Sequence, residues 1–159
     1  MDESPFLPRR EERYFEDYRV GSVQECGPIP VTEEEIIEFA RRYDPQYFHT
    51  DPEAAKRSPF GGLIASGWHT AGLMMRLLVD NLISPVASLG SPGVKDLRWV
   101  KPVRPGDELS IRATIRGARL SRSRPDRGIV EFSVEVMNQE RETVMTMESA
   151  GMYLRRPSG

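Results

Sequence analysis

The chain reads as a single α+β domain in which a curved antiparallel sheet wraps one long, central apolar helix. Three features predict it. The segment W-H-T-A-G-L-M-M-R-L-L-V-D-N-L is apolar nearly all the way round, broken only by Arg76, Asp80 and Asn81, and a helix without a polar face is a buried helix. After Gly93 the pattern changes to period-two alternation over several long segments, which is the signature of strands. No repeat or low-complexity linker divides the 159 residues, a length that suits one domain with a real core. Long strands following one buried helix make a helix-on-sheet arrangement.

Residues 1–13, M-D-E-S-P-F-L-P-R-R-E-E-R, are charged and proline-punctuated and are expected to form a flexible arm. Next, Y-F-E-D-Y-R-V-G-S-V alternates enough for a short strand or lead-in loop around residues 14–25. At Thr32 the run T-E-E-E supplies a capping box between Thr32 and Glu35. Ile36, Ile37, Phe39 and Ala40 give the helix that follows one apolar face, and Pro45 should stop it near Tyr43 by disfavouring helical geometry at Asp44. Residues 44–51 are then loop, with Asp51-Pro52 opening a short turn toward Lys56.

Pro59-Phe60-Gly61-Gly62 breaks the chain again before the apolar helix, which should start at Ser66 or Gly67 and run to about Leu82. Ala71 and Gly72 are small enough to let the sheet approach it. D-L-R-W-V-K-P-V is a strand and R-P-G-D the turn after it. E-L-S-I-R-A-T-I-R-G-A-R-L is a second strand, joined by the charged turn S-R-S-R-P-D-R-G to I-V-E-F-S-V-E-V-M-N. There Val130, Phe132, Val134 and Val136 share a face. A turn over residues 138–142 leads to the last strand, T-V-M-T-M-E-S-A-G-M-Y-L, and residues 156–159 form a tail.

The bulk numbers exclude several classes. A net charge of −2, from 22 basic and 24 acidic residues, carries no field for nucleic acid. One cysteine, Cys26, rules out an internal disulfide and a cysteine-rich zinc site, so no metal is expected. No apolar run reaches the roughly 18 residues of a membrane span, and the charged N-terminus is no secretory leader. The chain is expected in the cytoplasm.

Chemistry concentrates between Tyr43 and Trp68. Asp44 stands five residues before His49, one of two histidines. A carboxylate and an imidazole held together can handle a water and its protons near neutral pH. A glycine-marked loop then runs into the apolar helix, whose first N–H groups are free for a substrate oxygen. Plainer roles compete: Asp44 as a turn residue, His49 buried by aromatic neighbours, Ser66 as a helix cap, and Asp51 as the cap of its own turn. His69, one turn into the helix, reads as a satisfied core or interface group. Met74, Met75, Leu77 and Leu78 read as core, and Arg119, Arg122, Arg124 and Arg127 as a solvated hairpin tip.

The helix ending F-A-R-R-Y-D, the D-P-Q-Y-F-H-T-D-P segment, the F-G-G-L-I-A-S-G loop and the K-P-V-R-P-G-D-E-L turn occur in one order. Together they resemble the MaoC-like dehydratases, which include the (R)-specific enoyl-CoA hydratases of the hotdog fold. The resemblance covers residues 14–155, which it implies form one hotdog domain. It implies reversible hydration of a trans-2-enoyl-CoA to an (R)-3-hydroxyacyl-CoA, with no cofactor beyond the coenzyme A of the substrate. It also implies at least a homodimer. Asp44 and His49 match the family's catalytic pair by spacing. Gly67 would offer its N–H to the thioester oxygen, and Gln46, Phe60, Gly62, Ser66 and Trp68 would line the substrate site. An asparagine–proline pair usual between the two catalytic residues is absent here, leaving Gln46 as the only amide, and Ser66 stands where a histidine often precedes the glycine. A hotdog acyl-CoA thioesterase and a non-catalytic acyl-CoA-binding hotdog are the alternative readings.

Overall fold

The computed structural model describes residues 8–158. Its elements are β1 (Val23–Pro30), α1 (Glu33–Tyr43), the single turns α2 (Tyr47–Thr50) and α3 (Pro52–Ala55), α4 (Gly67–Asn81), β2 (Gly93–Trp99), β3 (Glu108–Leu120), β4 (Arg127–Met137) and β5 (Thr143–Leu154). The strands form one antiparallel sheet in the order β1-β3-β4-β5-β2. The long strands alternate as their sequences demand: Leu109, Ile111, Ala113 and Ile115 of β3 and Val130, Phe132, Val134 and Val136 of β4 all point inward. Met74, Leu77 and Leu78 of α4 close on the same core. This five-stranded sheet around one helix is the hotdog arrangement. Among the described residues no helix is long and apolar enough to cross a membrane.

Several expectations are corrected. Of the strand or lead-in loop expected around residues 14–25, the structure has the lead-in first: Phe15–Asp17 form a 3₁₀ turn and β1 begins only at Val23. β1 itself, V-Q-E-C-G-P-I-P, carries no strand signal because Gly27, Pro28 and Pro30 interrupt it. It forms because it is an edge strand, where proline costs no ladder bond on the open side, and the register shifts between Cys26 and Ile29.

Residues 1–7 of the expected flexible arm lie outside the described residues. Residues 8–13 are docked, with the Arg13 guanidinium buried against the end of α4, donating to Asn81 O (2.9 Å) and Leu82 O (3.1 Å). A cation there meets the unpaired carbonyls and the negative end of the helix.

The helix α4 is also not buried all round. Trp68, Met75 and Val79 are exposed, because the sheet stops at β2 and does not close over that side. Nor does Gly72 admit the sheet, since a Cβ there would meet nothing within 4 Å. The close approach is at Gly67.

Candidate active site

Asp44 ends α1 as Pro45 requires: its backbone leaves the helix (φ −153°, ψ 67°) while its N–H still reaches Ala40 O at 2.8 Å. Thr32 caps the other end of α1 by accepting from the Glu35 N–H, which is half of the expected capping box; the return bond from the Glu35 side chain to Thr32 N–H is not made among the described residues. The chain then reverses, Gln46 N–H donating to Asp44 O, and the single turn α2 sets His49 inward at 5% exposure. The loop before α4 packs across this turn: Ile64 N–H donates to Phe48 O, and Ala65 N–H to Val103 O. Ser66, fully buried, is the N-cap of α4 and accepts from Trp68 N–H at 3.3 Å.

Three polar side chains converge on the Asp44 carboxylate. Ser66 Oγ donates to Oδ2 at 2.7 Å, and Gln46 Nε2 to Oδ1 at 2.7 Å. His49 Nε2 lies 3.3 Å from Oδ2. The imidazole's other nitrogen, Nδ1, is 2.7 Å from Ile64 O. A carbonyl only accepts, so Nδ1 carries a proton and Nε2 faces the carboxylate. In the neutral ring Nε2 is an acceptor facing an acceptor, and such a pair takes up a proton or a water.

Burial alone would push the Asp44 carboxyl up. The hydrogen bonds from Ser66 and Gln46, joined by the positive charge of His49 when its ring is protonated, outweigh it and hold the group below its ordinary value. The site therefore pairs a carboxylate kept charged with an imidazole nitrogen free to take a proton.

This pair opens into a cavity of about 430 Å³, whose walls include Gln46, Phe48, Phe60, Ile64, Trp68 and Trp99. Gly67, at the first position of α4, also lines it, and its N–H makes no hydrogen bond among the described residues. The Trp99 ring lies so close that a Cβ on Gly67 would sit 2.4 Å from Trp99 Cε2, and its indole N–H donates to Gly67 O at 2.8 Å. Glycine is thus required by close packing. The N-terminus of a 15-residue helix, with the unpaired Gly67 N–H and its positive end, faces the same space as the Asp44–His49 pair.

The expected residues divide. Asp44, His49, Gly67, Gln46, Phe60 and Trp68 share the cavity. Ser66 does not reach it; with no exposed surface it stands behind Asp44 instead of against a substrate. Gly62 also lies outside the lining and faces the Arg104 guanidinium, 3.5 Å from where its Cβ would be. His69 is buried and stacked on Phe39 (centroids 5.0 Å apart, planes at 12°), a core group, but its buried Nδ1 has no hydrogen-bond partner among the described residues, so it is not the satisfied core histidine expected.

Trp99, Val100, Lys101, Pro102 and Val103 form a wall that sequence reading passed over as strand and turn. They reach the site through long-range pairing of β2 with β5, and the K-P-V-R-P-G-D-E-L segment signalled only Lys101, Pro102 and Val103 of them. The described residues contain no group of three or more His, Cys, Asp or Glu able to hold a metal.

Comparison with known proteins supports the fold and gives the family. A MaoC-like dehydratase of known structure from Rhodospirillum rubrum superposes with a TM-score of 0.85 at 42% identity, covering 92% of this chain and 99% of that one. The Bacillus subtilis (strain 168) protein YdeM, itself uncharacterized, is 27% identical over 141 residues, 89% of this chain and 99% of its own length. A 3-hydroxybutyryl-CoA dehydratase of Methylorubrum extorquens is 33% identical over 110 residues, 69% of this chain and 68% of its length. The MaoC-like domain family matches residues 19–138, across the Asp44–His49 pair, the glycine loop and the helix they face, and the chain belongs to that family.

Proposed function

We propose that the protein reversibly hydrates a trans-2-enoyl-CoA to an (R)-3-hydroxyacyl-CoA. One observation carries the reading: a carboxylate clamped by two neutral donors, a free imidazole nitrogen and an unpaired helix-start N–H line a single cavity. Family membership supports the reaction class.

In the hydration direction Asp44 and His49 hold one water between them. Its oxygen attacks C3 of the enoyl group while His49 Nε2 takes the proton being lost. Electron density moves to the thioester oxygen, where the Gly67 N–H and the positive end of α4 meet it. The proton on Nε2 is then returned to C2, so the water's atoms are all accounted for and the pair ends as it began. Asp44 stays ionised throughout, because Ser66 and Gln46 already satisfy its charge; it orients the water and stabilises the imidazolium. The addition requires no cofactor, and we place it in the cytoplasm, with a second copy of the chain as partner.

Purified protein is mixed with trans-2-butenoyl-CoA and followed by the loss of the conjugated enoyl-thioester absorbance, with chiral analysis of the product. His49→Ala is expected to lower kcat by roughly 10²–10⁴-fold, the worth of a positioned acid–base group. Release of free coenzyme A thiol in place of a hydroxyacyl ester would move the chemistry to the thioester carbon and overturn the reading.

A further inference from the structure

Trp68 is the only described residue that lines both the site cavity and a second cavity, of about 400 Å³, behind it. That second space is walled almost wholly by apolar groups, among them Met74, Leu78, Ile83, Leu97 and Phe132. The Trp68 indole meets Trp99 edge to face with ring centroids 5.1 Å apart. The two rings are held differently. Trp99 is fastened through its N–H to Gly67 O and packs where a Gly67 side chain would be. Trp68 sits in the same first turn of α4, where its backbone N–H is held by the Ser66 hydroxyl that also binds Asp44, while its indole is exposed and rests edge to face on Trp99. The aromatic pair is therefore tied to the same turn of backbone as the carboxylate.

We propose that the Trp68–Trp99 pair is the end wall of the acyl site, and that Trp68 limits the substrate to short enoyl groups by separating the site from the apolar groove behind it. This rests on the reading of the site as an enoyl-thioester hydratase. A short acyl chain ends against two aromatic faces that suit it. A long chain must leave the cavity into water or displace the Trp68 ring from its contact with Trp99, and so gains little from its extra methylenes. Without the Trp68 ring the two cavities become continuous, and those methylenes gain apolar walls to lie against. Whatever covers the groove from outside, Trp68 remains its wall on the side of the site.

The test compares wild type, Trp68→Ala, Trp68→Leu and Trp99→Phe on trans-2-butenoyl-CoA and trans-2-decenoyl-CoA. Calorimetric binding of butyryl-CoA and decanoyl-CoA gives a readout independent of turnover. Wild type should favour the short ester. Trp68→Ala should raise the decenoyl-to-butenoyl ratio of kcat/KM about tenfold or more, chiefly through KM, with a parallel shift in the ratio of Kd. Trp68→Leu, which keeps an apolar side chain at this exposed position, should move the ratio the same way by less. Trp99→Phe keeps a ring but loses the anchor, and should lower kcat on both esters.

Turnover by wild type with the same length profile in both folded Trp68 variants overturns the wall and leaves the hydratase standing. Length-selective binding that the Trp68 variants relax, with no hydration of any enoyl ester, overturns the hydratase and leaves the wall. Neither turnover nor binding overturns both.

Discussion

Ser66 has two duties that its sequence context only half announces. As an N-cap it accepts from the Trp68 N–H, and as a donor it holds Asp44 Oδ2. The fully buried hydroxyl is one reason the carboxyl sits below its ordinary value. Ser66→Ala removes that donor, so the Asp44 pKa rises and the acid limb of the kcat profile is expected to move to higher pH. Asp44 with a depressed folded pKa adds stability that is present above the unfolded value near 3.9 and is lost as pH falls through the folded value. The variant should keep less of that contribution and lose about 1 kcal/mol with the cap. A pH–rate profile beside thermal melts at two pH values checks both, and an unmoved acid limb would mean Ser66 only caps. The cap could be read from a serine ahead of a helix; the bond to Asp44, 22 residues away, could not, because nothing local encodes it.

At the scale of elements, the site is a meeting of two helix ends. The C-terminus of α1 presents Asp44 and the N-terminus of α4 presents Gly67, and the tip of β2 locks the second through Trp99. Gly67→Ala would place a methyl 2.4 Å from the Trp99 ring. Either the ring leaves or the helix start shifts, at about 1–3 kcal/mol for overpacking, which is several degrees in Tm for a chain of this size. Because the N–H moves with the backbone, kcat should fall as well, by up to roughly 10²–10³-fold if the donor is lost to the oxyanion. Full activity in a destabilised Gly67→Ala variant would confine Gly67 to packing.

Both helix ends were legible, one from Pro45, the other from the glycine loop. The third contributor was not. Trp99 lies 32 residues beyond Gly67, and only the pairing of β2 with β5 brings it back. β1 was illegible for a different reason: its Gly27, Pro28 and Pro30 signal a break in any local reading, and an open sheet edge is what tolerates them.

For the whole molecule, the feature to explain is the unclosed side of the sheet. The helix α4 was read as buried all round from its apolar sequence, yet Trp68, Met75 and Val79 are exposed beside β2, an edge strand whose Val94 and Trp99 are exposed too. An open strand edge next to an apolar stripe favours pairing with another chain. A homodimer seamed along β2 is therefore expected, with light scattering giving twice the 18.1 kDa chain mass. A charged substitution such as Val94→Lys should shift it toward monomer, and a strictly monomeric wild type would show that this side works uncovered.

The account stands on a charged Asp44 and a neutral His49 sharing one water. The most direct test is the rate at which the enoyl absorbance of trans-2-butenoyl-CoA falls with wild type and with Asp44→Asn, both shown to be folded by circular dichroism. Loss in the wild type, slowed by roughly 10²-fold or more in the variant, is the expected result. A variant as fast as wild type, or a wild type that leaves every enoyl ester unchanged, would contradict it.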